Sequence, residues 1–258
     1  ERVALARHPQ RPNITDYIDA LFTDFFEQKG DRLCREDPAI LGGVALYHGR
    51  PVTVIGTRKG KTAEESIRCN FGMPGPEGYR KALRLMKQAE KFRRPVFTFI
   101  DTSGAYPGLE AEARGQGEAI ARNLMEMSRL TVPVIALITG EGNSGGALAL
   151  GVADRVWLLQ NAVYSVISPE GCASILWKDA SKAEAAAASL KLTAEDAKSL
   201  GVVERILSEN EIGKREFYDR IRMLLAEELS ALSGDLDLIG KRYERFRRIG
   251  NAGADALL

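Results

Sequence analysis

Apolar residues recur at helical spacing early in the chain. Ile14, Tyr17, Ile18, Leu21, Phe22, Phe25 and Phe26 follow Pro12 and predict a helix over 13–28. The period then shortens to two. Val44-Ala-Leu-Tyr and Val52-Thr-Val-Ile flank the turn sequence His48-Gly-Arg-Pro, which predicts a β-hairpin over 42–58. Positions 59–78 are polar, with Gly72, Pro74, Gly75 and Pro76 close together, and read as a loop. Pro76 suits the first position of a helix whose stripe is Tyr79, Ala82, Leu83, Met86, Ala89 and Phe92, closed by Arg93, Arg94 and Pro95.

From there the pattern alternates. Val96-Phe-Thr-Phe-Ile reads as a buried strand, 101–109 as a Gly/Pro loop and 112–130 as a helix. Val134-Ile-Ala-Leu-Ile is the next strand, followed by a loop over 140–144 and an apolar helix through Leu150. Val156-Trp-Leu-Leu and Val163-Tyr-Ser-Val are short strands. Strands separated by helical crossovers pair in parallel, so the expected class is α/β. Beyond position 178 the chain is Ala- and Leu-rich and amphipathic, with one short strand over 202–207. No low-complexity linker divides it. The expected organisation is one domain, 1–258: an N-terminal helix and loop (1–40), the core (41–178) and a mostly helical C-terminal part (179–258).

Charge narrows the partners. Lys plus Arg number 36 against 35 Asp plus Glu, a net +1 that argues against a dedicated nucleic-acid or anionic-membrane binder. The three cysteines, Cys34, Cys69 and Cys172, lie far apart without a C-x-x-C, and His8 and His48 are the only histidines. That excludes a disulfide scaffold and a Cys or His metal cluster; the thiols read as buried small hydrophobes in a reducing compartment. The most apolar stretch, 133–159, is broken by Gly140, Glu141, Gly142, Asn143 and Asp154, so no membrane span is expected. Glu1-Arg-Val-Ala has neither an apolar leader nor an initiator Met and reads as trimmed, which leaves the cytoplasm as the expected location.

Four segments could carry chemistry. Gly140-Glu-Gly-Asn-Ser-Gly-Gly-Ala-Leu-Ala leaves a buried strand and opens a helix, where glycines allow close approach to free amides that can hold an oxyanion. The same segment satisfies G-x-S-x-G at Ser144, but no histidine follows it to serve as base, and Ser144 reads more simply as a helix cap. Asp101-Thr-Ser-Gly-Ala-Tyr-Pro-Gly leaves the preceding parallel strand and could supply a second donor to a shared oxygen, with Asp101 itself taking up turn amides. Ser168-Pro-Glu is a clean helix start, which accounts for Glu170 without catalysis. Finally Arg80, Lys81, Arg84, Lys87, Lys91, Arg93 and Arg94 face away from their helix's apolar stripe, a solvated face or a phosphate or acidic-partner contact.

Taken together these segments resemble the α subunit of the bacterial acetyl-coenzyme A carboxylase carboxyltransferase. The matching stretches include Arg7-His-Pro-Gln-Arg-Pro, Gly30-Asp-Arg, Asn70-Phe-Gly-Met-Pro-Gly-Pro-Glu-Gly-Tyr-Arg-Lys-Ala and Ile100-Asp-Thr-Ser-Gly-Ala-Tyr-Pro-Gly. The glycine segment from Gly140 and Tyr164-Ser-Val-Ile-Ser-Pro-Glu-Gly-Cys-Ala-Ser-Ile-Leu-Trp-Lys complete the set, over about 7–207. Two departures stand out. Asn143 replaces a usual glycine, an exchange a left-handed turn tolerates, and Ser208-Glu-Asn-Glu-Ile-Gly-Lys replaces the usual Pro-Leu-Gly-Gly-Ala-His.

The resemblance implies a crotonase-like spiral of ββα units with a helical C-terminal appendage. It implies transfer of a carboxyl group from carboxybiotin, on a separate biotin carboxyl carrier protein, to acetyl-coenzyme A to give malonyl-coenzyme A for fatty acid synthesis. It further implies an α2β2 assembly whose β subunit carries the zinc, and no cofactor bound covalently here. By motif, Gly145 and Gly146 would hold the biotin ureido oxygen. Gly104, Ala105, Tyr106, Pro107 and Gly108, with Gly142, Asn143 and Ser144, would line the pocket. Two other readings keep the same residues: an acyl-coenzyme A hydratase or isomerase using Glu141 or Glu170, and a non-catalytic interaction subunit.

Overall fold

The computed structural model describes residues 1–250. Eight strands form one mixed sheet: β1 (Thr23–Glu27), β2 (Ile40–Tyr47), β3 (Arg50–Thr57), β4 (Val96–Thr102), β5 (Val134–Asn143), β6 (Arg155–Leu159), β7 (Val163–Ser165) and β8 (Arg205–Leu207). The order is β1-β2-β3-β4-β5-β6-β8, with β7 pairing the end of β5. β1, β2 and β3 are antiparallel and every later pair is parallel. The predicted hairpin is there: His48 and Gly49 both take positive φ, the geometry whose twist matches that of the flanking strands.

Five short and medium helices lead into the second half: α1 (Arg2–Ala6), α2 (Ile14–Leu21), α3 (Ala63–Arg68), α4 (Pro76–Lys91) and α5 (Leu109–Ala113). Asn13 caps α2 in a reciprocal pair with Asp16. The helix predicted over 13–28 stops at Leu21. Phe22 turns extended and the next residues pair with the open edge of β2, where Gly43 allows the approach: a Cβ there would lie 2.9 Å from the Phe26 carbonyl carbon. Edge pairing overrides the helical period. The loop predicted over 59–78 contains α3 and a single 3-10 turn at Asn70–Gly72.

α4 begins at Pro76 as expected, but its buried face differs. Leu85 replaces Leu83, Phe92 is exposed, and Lys81 is buried, its ammonium held by Glu36 and the carbonyls of Asp37 and Ile40. The basic face is largely committed within the chain. Arg80 donates to the Arg114 carbonyl, Arg84 to those of Gln28, Lys29 and Gly30, and Lys87 pairs with Glu90 and Glu126.

The remaining helices are α6 (Gln116–Arg129), α7 (Ser144–Leu148), α8 (Pro169–Trp177), α9 (Ala183–Ser189), α10 (Ala194–Ser199), α11 (Arg215–Ser233) and α12 (Leu238–Arg248). The helix predicted over 112–130 is two, α5 and α6, broken by Gly115 at φ +86°. One apolar cluster runs from Ile14 to Leu232, with the sheet between α2 and α11 on one side and α4 and α6 on the other. α11 buries Phe217, Ile221, Leu225, Leu229 and Leu232 along one face. Tyr17 stacks on Phe99, ring centroids 5.2 Å apart. The last eight positions of the predicted C-terminal part, 251–258, lie outside the described residues. Cys69 and Cys172 are buried, whereas Cys34 is exposed, contrary to the expectation for all three. Among the described residues no helix is long and apolar enough to cross a membrane.

Candidate functional site

The two glycine segments meet where β4 and β5 leave the sheet. β5 does not end at Ile138 as the pattern suggests; it absorbs 139–143, so Gly140, Glu141, Gly142 and Asn143 are strand residues rather than loop. Gly142 pairs with Thr102 on one side and Tyr164 on the other. Asn143 is ordinary extended backbone, φ −108°, and the left-handed residue is the next one, Ser144 at φ +60°. The tolerance expected of Asn143 is therefore exercised by Ser144. Asn143 is buried instead, its amide donating to Glu141.

Ser144 is not the expected cap. It is the first residue of α7, its side chain is exposed, and no side-chain cap hydrogen bond forms at this helix start. The left-handed backbone suits a nucleophile elbow, but the base is missing. His48 sits in the β2–β3 turn against Tyr47, and His8 Nδ1 accepts from the Gln10 amide. Neither imidazole is hydrogen-bonded to Ser144 among the described residues.

Gly145 and Gly146 occupy the first turn of α7, whose opening amides have no intrahelical acceptor. Their surroundings differ. A Cβ on Gly146 would lie 2.6 Å from the Gly104 carbonyl carbon and closer still to the Ala105 nitrogen, so the two turns touch backbone to backbone. A Cβ on Gly145 would meet Ile120 Cγ2 at 3.5 Å, an ordinary contact. Tyr79 donates its hydroxyl to the Gly146 carbonyl at 3.3 Å, and burial keeps that phenol protonated by pushing its pKa well up. Gly104 has φ +142°, and Thr102 Oγ1 both donates to its carbonyl (2.7 Å) and accepts from its amide (3.0 Å).

Beyond Ala105 the loop turns away. Gln116, buried, donates to the carbonyls of Pro74 and Tyr106, and the Tyr106 amide donates to Pro74. Tyr106 lines a separate cavity of about 290 Å³ with Arg35, Glu77 and Arg114. Ser144 and Gly145 instead border an apolar cleft of about 540 Å³, walled by Leu148, Tyr164, Val166, Leu190 and Phe246. Of the residues expected to line the pocket only Ser144 and Gly145 border that cleft; Gly104, Ala105, Tyr106, Pro107, Gly108, Gly142, Asn143 and Gly146 do not.

The carboxylates near the turns are ion-paired. Glu141 is buried and accepts from Arg7 Nε (2.8 Å) and Lys59 Nζ (3.1 Å). Glu170 takes a bidentate bond from the same Arg7, at 2.7 and 3.1 Å, which holds its carboxyl below the usual range, while Ser168 caps α8 as predicted. Asp101 accepts the Glu141 amide at 2.8 Å and Lys59 Nζ at 2.7 Å. It therefore takes an amide of the neighbouring strand, not of its own turn. Each of these carboxylates is thus held by at least one cation. Sequence reading did not single out Lys59, which stands in a run of basic residues, and it used Arg7 only as part of a family motif.

The fold has clear relatives among solved structures. A transcarboxylase 12S hexamer core matches with TM-score 0.71 at 20% identity, over 88% of this chain and 43% of that one. A Pseudomonas malonate decarboxylase hetero-tetramer in complex with coenzyme A matches with TM-score 0.69 at 23% identity, over 85% and 89%. The chain thus shares its fold with these proteins. Residues 1–250 match the family model described as acetyl co-enzyme A carboxylase carboxyltransferase-like, and the chain belongs to that family. It is 59% identical over 257 residues to the acetyl-coenzyme A carboxylase carboxyl transferase subunit alpha of Bacillus cytotoxicus, covering 97% of this chain and 79% of that protein. The subunit of the same name from Bacillus cereus is 58% identical over the same shares.

Proposed function

We propose that this chain supplies the oxyanion-holding half of a carboxyltransferase site that moves a carboxyl group from carboxybiotin to acetyl-coenzyme A. The observation that carries this reading is the backbone contact between the two turns, beside ion-paired carboxylates, with no imidazole hydrogen-bonded to Ser144 among the described residues. In this reading the chain contributes amide donors and the substrate itself supplies the base.

Carboxybiotin needs little more. Release of its carboxyl group as CO2 leaves a ureido anion, which takes a methyl proton from the acetyl thioester; the resulting carbanion adds to the CO2 and malonyl-coenzyme A forms. Amides of Gly145 and Gly146 stabilise the developing negative charge on the ureido oxygen, and the Gly104–Ala105 turn fixes their position. The apolar cleft beside Gly145 suits the fused rings of biotin. A β chain bearing the zinc would hold the coenzyme A thioester against this surface in an α2β2 assembly, and a biotin carboxyl carrier protein would deliver the carboxybiotin in trans. The hydratase alternative needs Glu141 or Glu170 as a free base, and Arg7 occupies both.

The test is reverse transfer from malonyl-coenzyme A to a biotin derivative, with and without the β chain. This chain alone is expected to be silent and to gain activity on adding β. Full activity of the isolated chain would end the split-site reading.

A further inference from the structure

β4 and β5 pair residue for residue from Val96↔Val134 to Ile100↔Ile138, and then the register slips so that Thr102 pairs Gly142. Thr139, Gly140 and Glu141 therefore stand opposite Asp101 alone. Such a bulge re-aims the strand that carries it, here immediately before the glycine turn.

Charged side chains replace the ladder bonds that the bulge gives up. Arg11 donates to the Thr139 carbonyl at 2.8 and 3.1 Å, and its other partners are Glu209 and the Leu5 carbonyl. The Asp101 carboxylate lies against Gly140 so closely that a Cβ there would be 2.5 Å from Asp101 Cγ. Its Oδ1 takes the Glu141 amide. Lys59, two residues beyond β3, then reaches Asp101 at 2.7 Å and Glu141 at 3.1 Å with one ammonium. Its stem runs along Gly72, where a Cβ would come within 2.6 Å of Lys59 Cγ.

Lys59 thus ties β4 to β5 just before they become the Gly104 and Gly145–Gly146 turns. The two carboxylate side chains are only 12% and 5% exposed, so without the ammonium they would repel each other with little help from water. Arg7 holds Glu141 from the other side and Glu170, Arg11 holds Glu209, and Lys61 pairs with Asp16.

We infer that Lys59 is a positioning residue for carboxyl transfer: its ammonium clamps Asp101 to Glu141 and so sets the spacing of the two amide turns. This rests on the oxyanion reading above. Small displacements of preorganised groups reach about 10²-fold in rate. Because the amides act on the developing charge, the loss belongs in kcat and not in KM.

The experiment compares wild type, Lys59→Met and Lys59→Met/Glu141→Gln, each assembled with the β chain, in transfer from malonyl-coenzyme A to a biotin derivative. Lys59→Met is expected to lower kcat about 10–100-fold with KM for malonyl-coenzyme A within about twofold. Removing one of the two facing charges in the double variant should recover at least about threefold of that loss, which a purely structural role would not do. If Lys59→Met does not assemble, Lys59→Gln, which keeps a donor without the charge, is expected to show the same kcat loss. An assembled, folded variant with wild-type kcat, or one changed in KM alone, would overturn the clamp. A wild-type complex that transfers nothing would instead bring down the oxyanion reading, and the clamp with it.

Discussion

β5 is gripped at both ends by an aspartate, and the two grips do different work. At its start Asp154 accepts the Val134 amide at 2.8 Å; near its end Asp101 accepts the Glu141 amide at the same distance. Each aspartate also takes a cation from a distant part of the chain. Arg242, from α12, meets Asp154 with both arms at 2.9 and 2.8 Å and spends its other donors on the carbonyls of Met127, Leu130 and Val132. That side chain is fully buried, and these bonds engage all three of its nitrogens. Lys59 and Arg7 at the other end remain 25% and 36% exposed, and between them they hold carboxylates from β4, β5 and α8. A closed ion pair locks a helix down. An open network holds turns that must face a substrate.

The comparison breaks most sharply at Arg242. Arg242→Met leaves a buried aspartate and three carbonyls short of a donor, and is expected to cost about 3–5 kcal/mol of stability. Urea unfolding reads that loss, while kcat of the assembled, folded protein should stay near wild type. The opposite profile belongs to Gly146→Val. It forces the two turns apart and should slow transfer by about 10²–10³-fold, with circular dichroism and β assembly preserved. A Gly146→Val protein that folds, assembles and turns over normally would show that the backbone contact has no part in the chemistry.

Milder changes sharpen the picture. Gly145→Ala has room beside Ile120 and no positive φ to oppose it, so transfer should change by less than about threefold. The asymmetry between neighbouring glycines is the point: crowding resides at Gly146. Ser144→Ala should leave the rate within about twofold and stability within about 0.5 kcal/mol, because the hydroxyl is exposed and caps nothing. Abolished turnover there would restore a serine nucleophile. Smallest of all is the α4 surface, since Arg80, Arg84 and Lys87 bond within the chain. Lys87→Gln should leave affinity for the β chain and its salt dependence unchanged in binding measurements at low and high ionic strength.

Much of this molecule can be read along the chain because its rules are local. The hairpin needed only two alternating runs and a turn able to take positive φ at His48 and Gly49. Pro76 and Ser168-Pro-Glu announced helix starts, and the two glycine segments appeared at consecutive parallel strand ends. Where the reading went wrong, a partner distant in sequence intervened. The run from Phe22 to Phe26 has helical spacing, yet the open edge of β2 claims it. Lys81 looks solvated on a helical wheel, yet Glu36 and two carbonyls draw it inside.

By itself the sequence determined the α/β class, the family motifs and the two turns that carry candidate donors, because spacing, cap residues and glycines act within a few positions. Only the tertiary structure decided that β5 continues through Asn143, that Ser144 and not Asn143 takes the left-handed backbone, and that of Gly145 and Gly146 only the second is crowded. The same holds for the charges. Nothing near Lys59 in the chain marks it off from Arg58 or Lys61; its place between Asp101 and Glu141 arises because a register slip between two strands puts carboxylates from positions 42 and 82 residues away within reach of one ammonium.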